Sequence, residues 1–126
     1  ALGIDGYVYC VPYEVSYFET INPNTKVCTA HSMSYTQYNY CGGVLGADGA
    51  VYFIPFQGTK VARIAPSSIL FQTSYISSSN GYMGGVLAPN GKIYCAPNTA
   101  STILVIDTKV STAPCWLTSP YINSGF

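Results

Sequence analysis

The chain has 126 residues, 48% of them hydrophobic, which is enough length and apolar material for a folded core and excludes disorder. Five basic residues balance five acidic ones, and a charged fraction of 8% leaves no electrostatic footprint for nucleic acid or anionic lipid. No apolar run approaches the roughly 20 residues of a membrane-spanning helix, and so little like-charge repulsion favours association between molecules.

Read from the N-terminus, the chain repeats itself. Leu2-Gly3-Ile4-Asp5-Gly6-Tyr7-Val8-Tyr9-Cys10-Val11-Pro12 aligns with the copy starting at Leu45. Gly42-Gly43-Val44-Leu45 through Asp48-Gly49 to Ile54-Pro55 aligns in turn with Gly84-Gly85-Val86-Leu87 through Asn90-Gly91 to Ala96-Pro97, 42 residues on. Ile21-Asn22-Pro23, Ile64-Ala65-Pro66 and Ile106-Asp107-Thr108 stay in step with these offsets, 43 residues and then 42. Three copies at this period predict three β-propeller blades, at about 1–43, 44–85 and 86–126 of a single domain.

In each copy, Asp5-Gly6, Asp48-Gly49 or Asn90-Gly91 predicts a two-residue hairpin between a first strand and a second, which a Pro ends. A third strand follows over 16–21, 60–64 and 102–107, and a fourth over 28–33, 69–74 and 115–119. No long stretch has helical periodicity, so the expectation is an all-β fold of three four-stranded blades, completed by self-association or by further blades.

The second strand shows why a propeller fits. Val8, Val51 and Ile93 share one face with Cys10, Phe53 and Cys95, while Tyr9, Tyr52 and Tyr94 share the other with Val11, Ile54 and Ala96. Both faces are apolar, which requires cover on both sides, as when a blade is sandwiched between neighbours. The paired glycines Gly42-Gly43 and Gly84-Gly85 fall in the innermost strand, where strands crowd around the axis.

These residues resemble a known family. Ala88-Pro89-Asn90-Gly91-Lys92-Ile93-Tyr94-Cys95-Ala96-Pro97-Asn98, followed by Thr102-Ile103-Leu104-Val105-Ile106-Asp107-Thr108, resembles the YVTN-type β-propeller repeat. The third copy matches best; the first and second have Ile4 and Ala47 where the turn has Pro. The resemblance implies a propeller of cell-surface or extracellular proteins, used mostly as a non-catalytic scaffold, although fold alone does not determine function.

Closed propellers need roughly four to eight blades, so three leave the ring incomplete. The preferred expectation is a homodimer closing a six-bladed ring; a head-to-tail filament, or a segment of a longer propeller, would also supply the missing blades. A chain that opens on Ala1 without a signal sequence is expected to be processed or part of something longer.

Five cysteines suggest an oxidising, extracellular or cell-surface location. Spacing makes Cys10–Cys28 and Cys95–Cys115 conceivable disulfides and leaves Cys41 as an intermolecular or buried thiol. No catalytic, metal-binding or cofactor-binding residue is expected. His31 is the sole histidine and reads as a surface or packed residue. Glu14 and Glu19 read as solvated charges and Asp5, Asp48 and Asn90 as turn residues. Aromatics in or near loops, Tyr13, Tyr17, Phe56, Tyr75 and Tyr121, are the candidates for contact with a partner. The expected function is thus a non-enzymatic extracellular structural or self-assembling module, with a lectin-like propeller binding carbohydrate (glycans) or protein as the alternative.

Overall fold

The structure, a computed structural model, describes residues 1–33, 39–66, 70–75, 81–109 and 115–118. Strands β1 (Val8–Cys10), β2 (Tyr17–Ile21) and β3 (Cys28–Ser32) form the first sheet. The second sheet runs in order through β4 (Asn39–Leu45), β5 (Val51–Gln57), β6 (Lys60–Ala65) and β7 (Leu70–Tyr75). The third runs through β8 (Tyr82–Leu87), β9 (Lys92–Pro97), β10 (Ile103–Asp107) and β11 (Cys115–Thr118). All pairings are antiparallel between sequence neighbours, and no helix occurs among the described residues. In the first sheet the innermost position holds a single Leu2–Val8 bridge, flanked by Ala1 and Tyr9, which exchange backbone hydrogen bonds of 2.8 and 2.7 Å. Sheet membership moves the repeat boundaries, because Asn39–Leu45 and Tyr82–Leu87 open the second and third sheets.

The sequence repeat survives as a structural register. Val8 faces Ile21, Val51 faces Ile64, and Ile93 faces Ile106 across the same pair of strands. The hairpins differ from the two-residue expectation. In each, the Gly6, Gly49 or Gly91 amide donates to the carbonyl three residues back, while Gly3, Gly46 and Ala88 donate to the carbonyls of Tyr7, Ala50 and Lys92. This is a three-residue loop, a type I turn followed by one left-handed residue. Only the glycine has positive φ, at 83°, 83° and 81°. The preceding Asp or Asn has no positive φ, as the second central residue of a type I turn requires.

The paired glycines do what the innermost strand requires. Register shifts interrupt β4–β5 between Tyr40 and Gly43 and β8–β9 between Tyr82 and Gly85. Each shift is a bulge containing a glycine of positive φ, Gly42 at 87° and Gly84 at 66°. A Cβ on Gly42 would lie 2.9 Å from the Gly84 Cα, so the two inner strands touch backbone to backbone.

Apolar side chains from adjacent sheets interlock into two layers. Tyr9 and Phe18 of the first sheet meet Val51, Phe53, Ala62 and Ile64 of the second. On the opposite face of the second sheet, Tyr52, Ile54 and Val61 meet Ile93, Cys95, Leu104 and Ile106 of the third. The middle sheet is therefore covered on both faces, as its two-sided apolar pattern demands.

The strand order rules out both disulfide pairings. Cys10 and Cys28 lie on strands separated by β2, and Cys28 is two residues out of line with Cys10. Cys95 and Cys115 lie on strands separated by β10, with the same offset. Two strand spacings are about 10 Å, beyond the roughly 7 Å over which Cα atoms can be bridged. Accordingly none of Cys10, Cys28, Cys41 and Cys95 is in a disulfide. Cys41 is half-buried on β4.

The bulge yields a stability prediction. Gly42→Ala forces an alanine into left-handed backbone against Gly84 and should lower stability by roughly 1–3 kcal/mol. Gly6→Ala, where φ is 83° but nothing lies within 4 Å, should cost less. Thermal unfolding of the two variants side by side checks the ranking.

Candidate functional site

The hairpin tips, all at one end of the sheets, carry most of the ordered polar chemistry. Asp5 Oδ1 accepts the Tyr7 amide at 3.1 Å, and Oδ2 accepts the Tyr9 hydroxyl at 2.9 Å. Asp48 does the same for the Ala50 amide at 3.1 Å and the Tyr52 hydroxyl at 2.8 Å. In the third copy Asn90 Oδ1 accepts the Lys92 amide at 3.1 Å and its Nδ2 donates to the Tyr94 hydroxyl at 3.0 Å. The recurring Asp/Asn and the recurring Tyr four residues later are thus one unit. Sequence reasoning explained the first by turn geometry and the second by packing, and missed the bond between them; their constant spacing was the available signal.

The second copy adds a cation. Arg63 donates to Asp48 Oδ2 from Nε at 3.0 Å and Nη2 at 2.9 Å, and from Nε to the Tyr52 hydroxyl at 3.3 Å. Burial, followed by the Asp hydrogen bond, pushes the Tyr9 and Tyr52 phenols well above their ordinary range. Burial pulls the Arg63 guanidinium down, but its bonds to Asp48 and Tyr52 outweigh that and hold it above its usual value.

Between sheets, the two joints are built differently. At the second–third joint, the buried Thr108 hydroxyl donates to the Gly91 carbonyl at 2.6 Å and accepts the Ala47 amide at 2.9 Å. It ties the hairpin of one sheet to that of the next. At the first–second joint the repeat-equivalent residue is Pro66, which has no hydroxyl. The Ile4 amide, equivalent to that of Ala47, meets no acceptor among the described residues. A cavity of about 380 Å³ opens there, lined by Ile4, Asp5, Asp48, Arg63, Ala65 and Pro66. A second cavity of about 310 Å³ shares Asp5 and Pro66 with it and continues past Tyr7, Thr20, Thr29 and His31.

His31 reaches this notch from β3. Its Nε2 shares a 2.8 Å hydrogen bond with Thr20 Oγ1, and its ring stacks on Phe18 with centroids 4.8 Å apart. Of the aromatics expected at a partner surface, Tyr13 and Phe56 come together, with centroids 6.0 Å apart, whereas Tyr17 stands on β2. Tyr13 and Tyr17 are exposed, and Phe56 lies on β5 one residue before its end. Tyr75 ends β7, and Tyr121 lies outside the described residues. Glu14 sits in the loop before β2 with φ at 59°, and Glu19 lies on β2 opposite Cys10. No group of three or more His, Cys, Asp or Glu suited to a metal occurs among the described residues. No helix among them is long and apolar enough to cross a membrane.

No family model matches the sequence, the YVTN-type repeat included, and no curated protein matches it. Solved structures do match its shape. Selenomethionine-substituted virginiamycin B lyase from Staphylococcus aureus superposes with a TM-score of 0.82 at 16% identity, over 99% of this chain and 41% of that one. A streptogramin B lyase matches with a TM-score of 0.80 at 18% identity, over 97% and 40%. The extracellular domain of BT4673 from B. thetaiotaomicron matches with a TM-score of 0.70 at 20% identity, over 94% and 16%. The chain therefore has a β-propeller-like fold, and it spans about two fifths of the length of the lyases. The expectation of a non-enzyme is corrected by the same comparison: the architecture is shared with enzymes, so the lack of a local catalytic motif in three blades does not exclude catalysis.

The contrast between the joints can be measured. Thr108→Val leaves the Ala47 amide and the Gly91 carbonyl without their side-chain partner in a buried place, and should destabilise the chain by about 1–3 kcal/mol in denaturant unfolding.

Proposed function

We propose that this chain is a self-associating structural module of an extracellular or cell-surface propeller, in which a second copy packs on its open sheet faces. The observation that carries this reading is a comparison of equivalent positions. On the middle sheet, Tyr52 and Ile54 are 2% and 0% exposed beneath the third sheet. Their equivalents on the third sheet, Tyr94 and Ala96, are exposed, together with Val86, which pairs with Tyr94 and is 65% exposed. At the other end, Val51, Phe53 and Ile64 are fully buried against the first sheet, whereas Val8, Cys10 and Ile21 are only half-buried. The outer part of the third sheet's face is already covered, with Val105 at 2% exposure, so the unfilled area is its inner part.

The two open faces are the matching halves of an interface that the chain builds twice internally. A face carrying Tyr94 and Ala96 fits one carrying Val8 and Cys10, as Tyr52 and Ile54 fit Ile93 and Cys95. Burying each large apolar side chain is worth roughly 1.5–3 kcal/mol, so water-exposed Val86 and Tyr94 favour such packing. Because the contact joins unlike faces, it is heterologous, and its rotation decides between a closed six-bladed pair and an open filament.

Light scattering coupled to size exclusion tests this. The expected result is a particle of at least twice the 13.5 kDa chain mass that Val86→Asp or Val8→Asp returns to monomer with the fold intact by circular dichroism. A wild-type chain that stays monomeric up to roughly 1 mM, where a 1 mM Kd is worth only about 4 kcal/mol, would sink the proposal.

A further inference from the structure

We propose that the notch between the first and second sheets binds a short saccharide, with Asp5 at its centre. Its two cavities, about 380 and 310 Å³, adjoin at Asp5 and Pro66 and are each roomy enough for one sugar ring. Their walls supply what a polyol needs. The Asp5 carboxylate has one hydrogen bond on each oxygen, from the Tyr7 amide and the Tyr9 hydroxyl, which leaves further lone pairs on both. Across from it, Asp48 and Arg63 place an acceptor and a donor side by side, the arrangement that vicinal hydroxyls complement. The Ile4 amide is a further donor at the rim. Pro66 and the Tyr7 ring, 37% exposed, provide flat apolar surface for the C–H face of a pyranose.

Other ligand chemistries fit less well. An anion such as phosphate would meet two carboxylates and one guanidinium already paired to one of them. A cation would meet donors from Arg63 and from the Ile4 amide. A purely apolar molecule would strip water from Asp5 without replacing its hydrogen bonds.

The two joints differ at one bridging residue. Where Thr108 closes the next joint by bridging Ala47 and Gly91, Pro66 leaves the first joint open. It lies within a single chain, so its occupancy is independent of whether the open faces associate.

Saturation-transfer NMR with glucose, galactose, N-acetylglucosamine, cellobiose and lactose, each at about 10 mM, is the test; this is roughly ten times a Kd of order 1 mM. Transfer to at least one of these sugars is expected. Pro66→Thr, which restores the bridging hydroxyl, should abolish that transfer without lowering the unfolding temperature, and Tyr7→Ala should weaken binding by about tenfold. Absence of transfer from every sugar would overturn the proposal, as would transfer that persists unchanged in both variants. Butylammonium bound in place of the sugars, and lost in Pro66→Thr, would overturn the ligand class.

Discussion

A β-sheet that is apolar on both faces has no stable arrangement in water by itself, and the middle sheet of this chain is of that kind. The middle one, with Val51, Tyr52, Phe53 and Ile54 all buried, shows the solution, which is to be gripped by a neighbour on either side. The rest of the architecture follows from this constraint. Side-by-side sheets must converge at their inner strands, and convergence brings Gly42 onto Gly84 with no room for a side chain between them. At the two ends the corresponding residues are less covered: Val8 is half-buried on the first sheet, and Val86 and Tyr94 are exposed on the third.

Much of this was legible in the sequence, because the signals were periodic. The 42-residue step fixed the number of sheets, and the equivalence of Val8, Val51 and Ile93 opposite Tyr9, Tyr52 and Tyr94 separated the two faces correctly. What depended on distances between strands was not legible. Cysteine spacing along the chain suggested pairs that lie two strands apart, since a meander places residues of the first and third strands out of mutual reach. The hairpin type was missed for a related reason: Asp-Gly is compatible with a two-residue turn, and the loop length is set by which backbone groups pair across its base.

The notch was invisible for a different reason. A repeat draws attention to what recurs, whereas the cavity borders a departure, Pro66 standing where the third copy has Thr108. His31 was read alone as a surface or packed residue, although the fold places it with Thr20 on the face that borders that departure. Chemistry in repeat proteins gathers where one copy differs from its siblings, so differences between copies carry as much information as the consensus. The link to lyase structures makes the same point at larger scale, since shared blades leave open what each blade contributes.

The Asp–Tyr pairs that close the hairpins also make the fold a reluctant acid. Tyr9 and Tyr52 hold their phenolic protons far more tightly than an ordinary tyrosine, because burial and an adjacent carboxylate both oppose a phenolate. A group whose folded pKa is raised contributes its stability in full below the unfolded value and loses it as the solution becomes more alkaline. In strong base, the unfolded chain can release two protons that the folded chain must keep. The bonds that these pairs make at neutral pH therefore set an alkaline limit on the same architecture, and unfolding through that limit would couple to ionisation of both tyrosines.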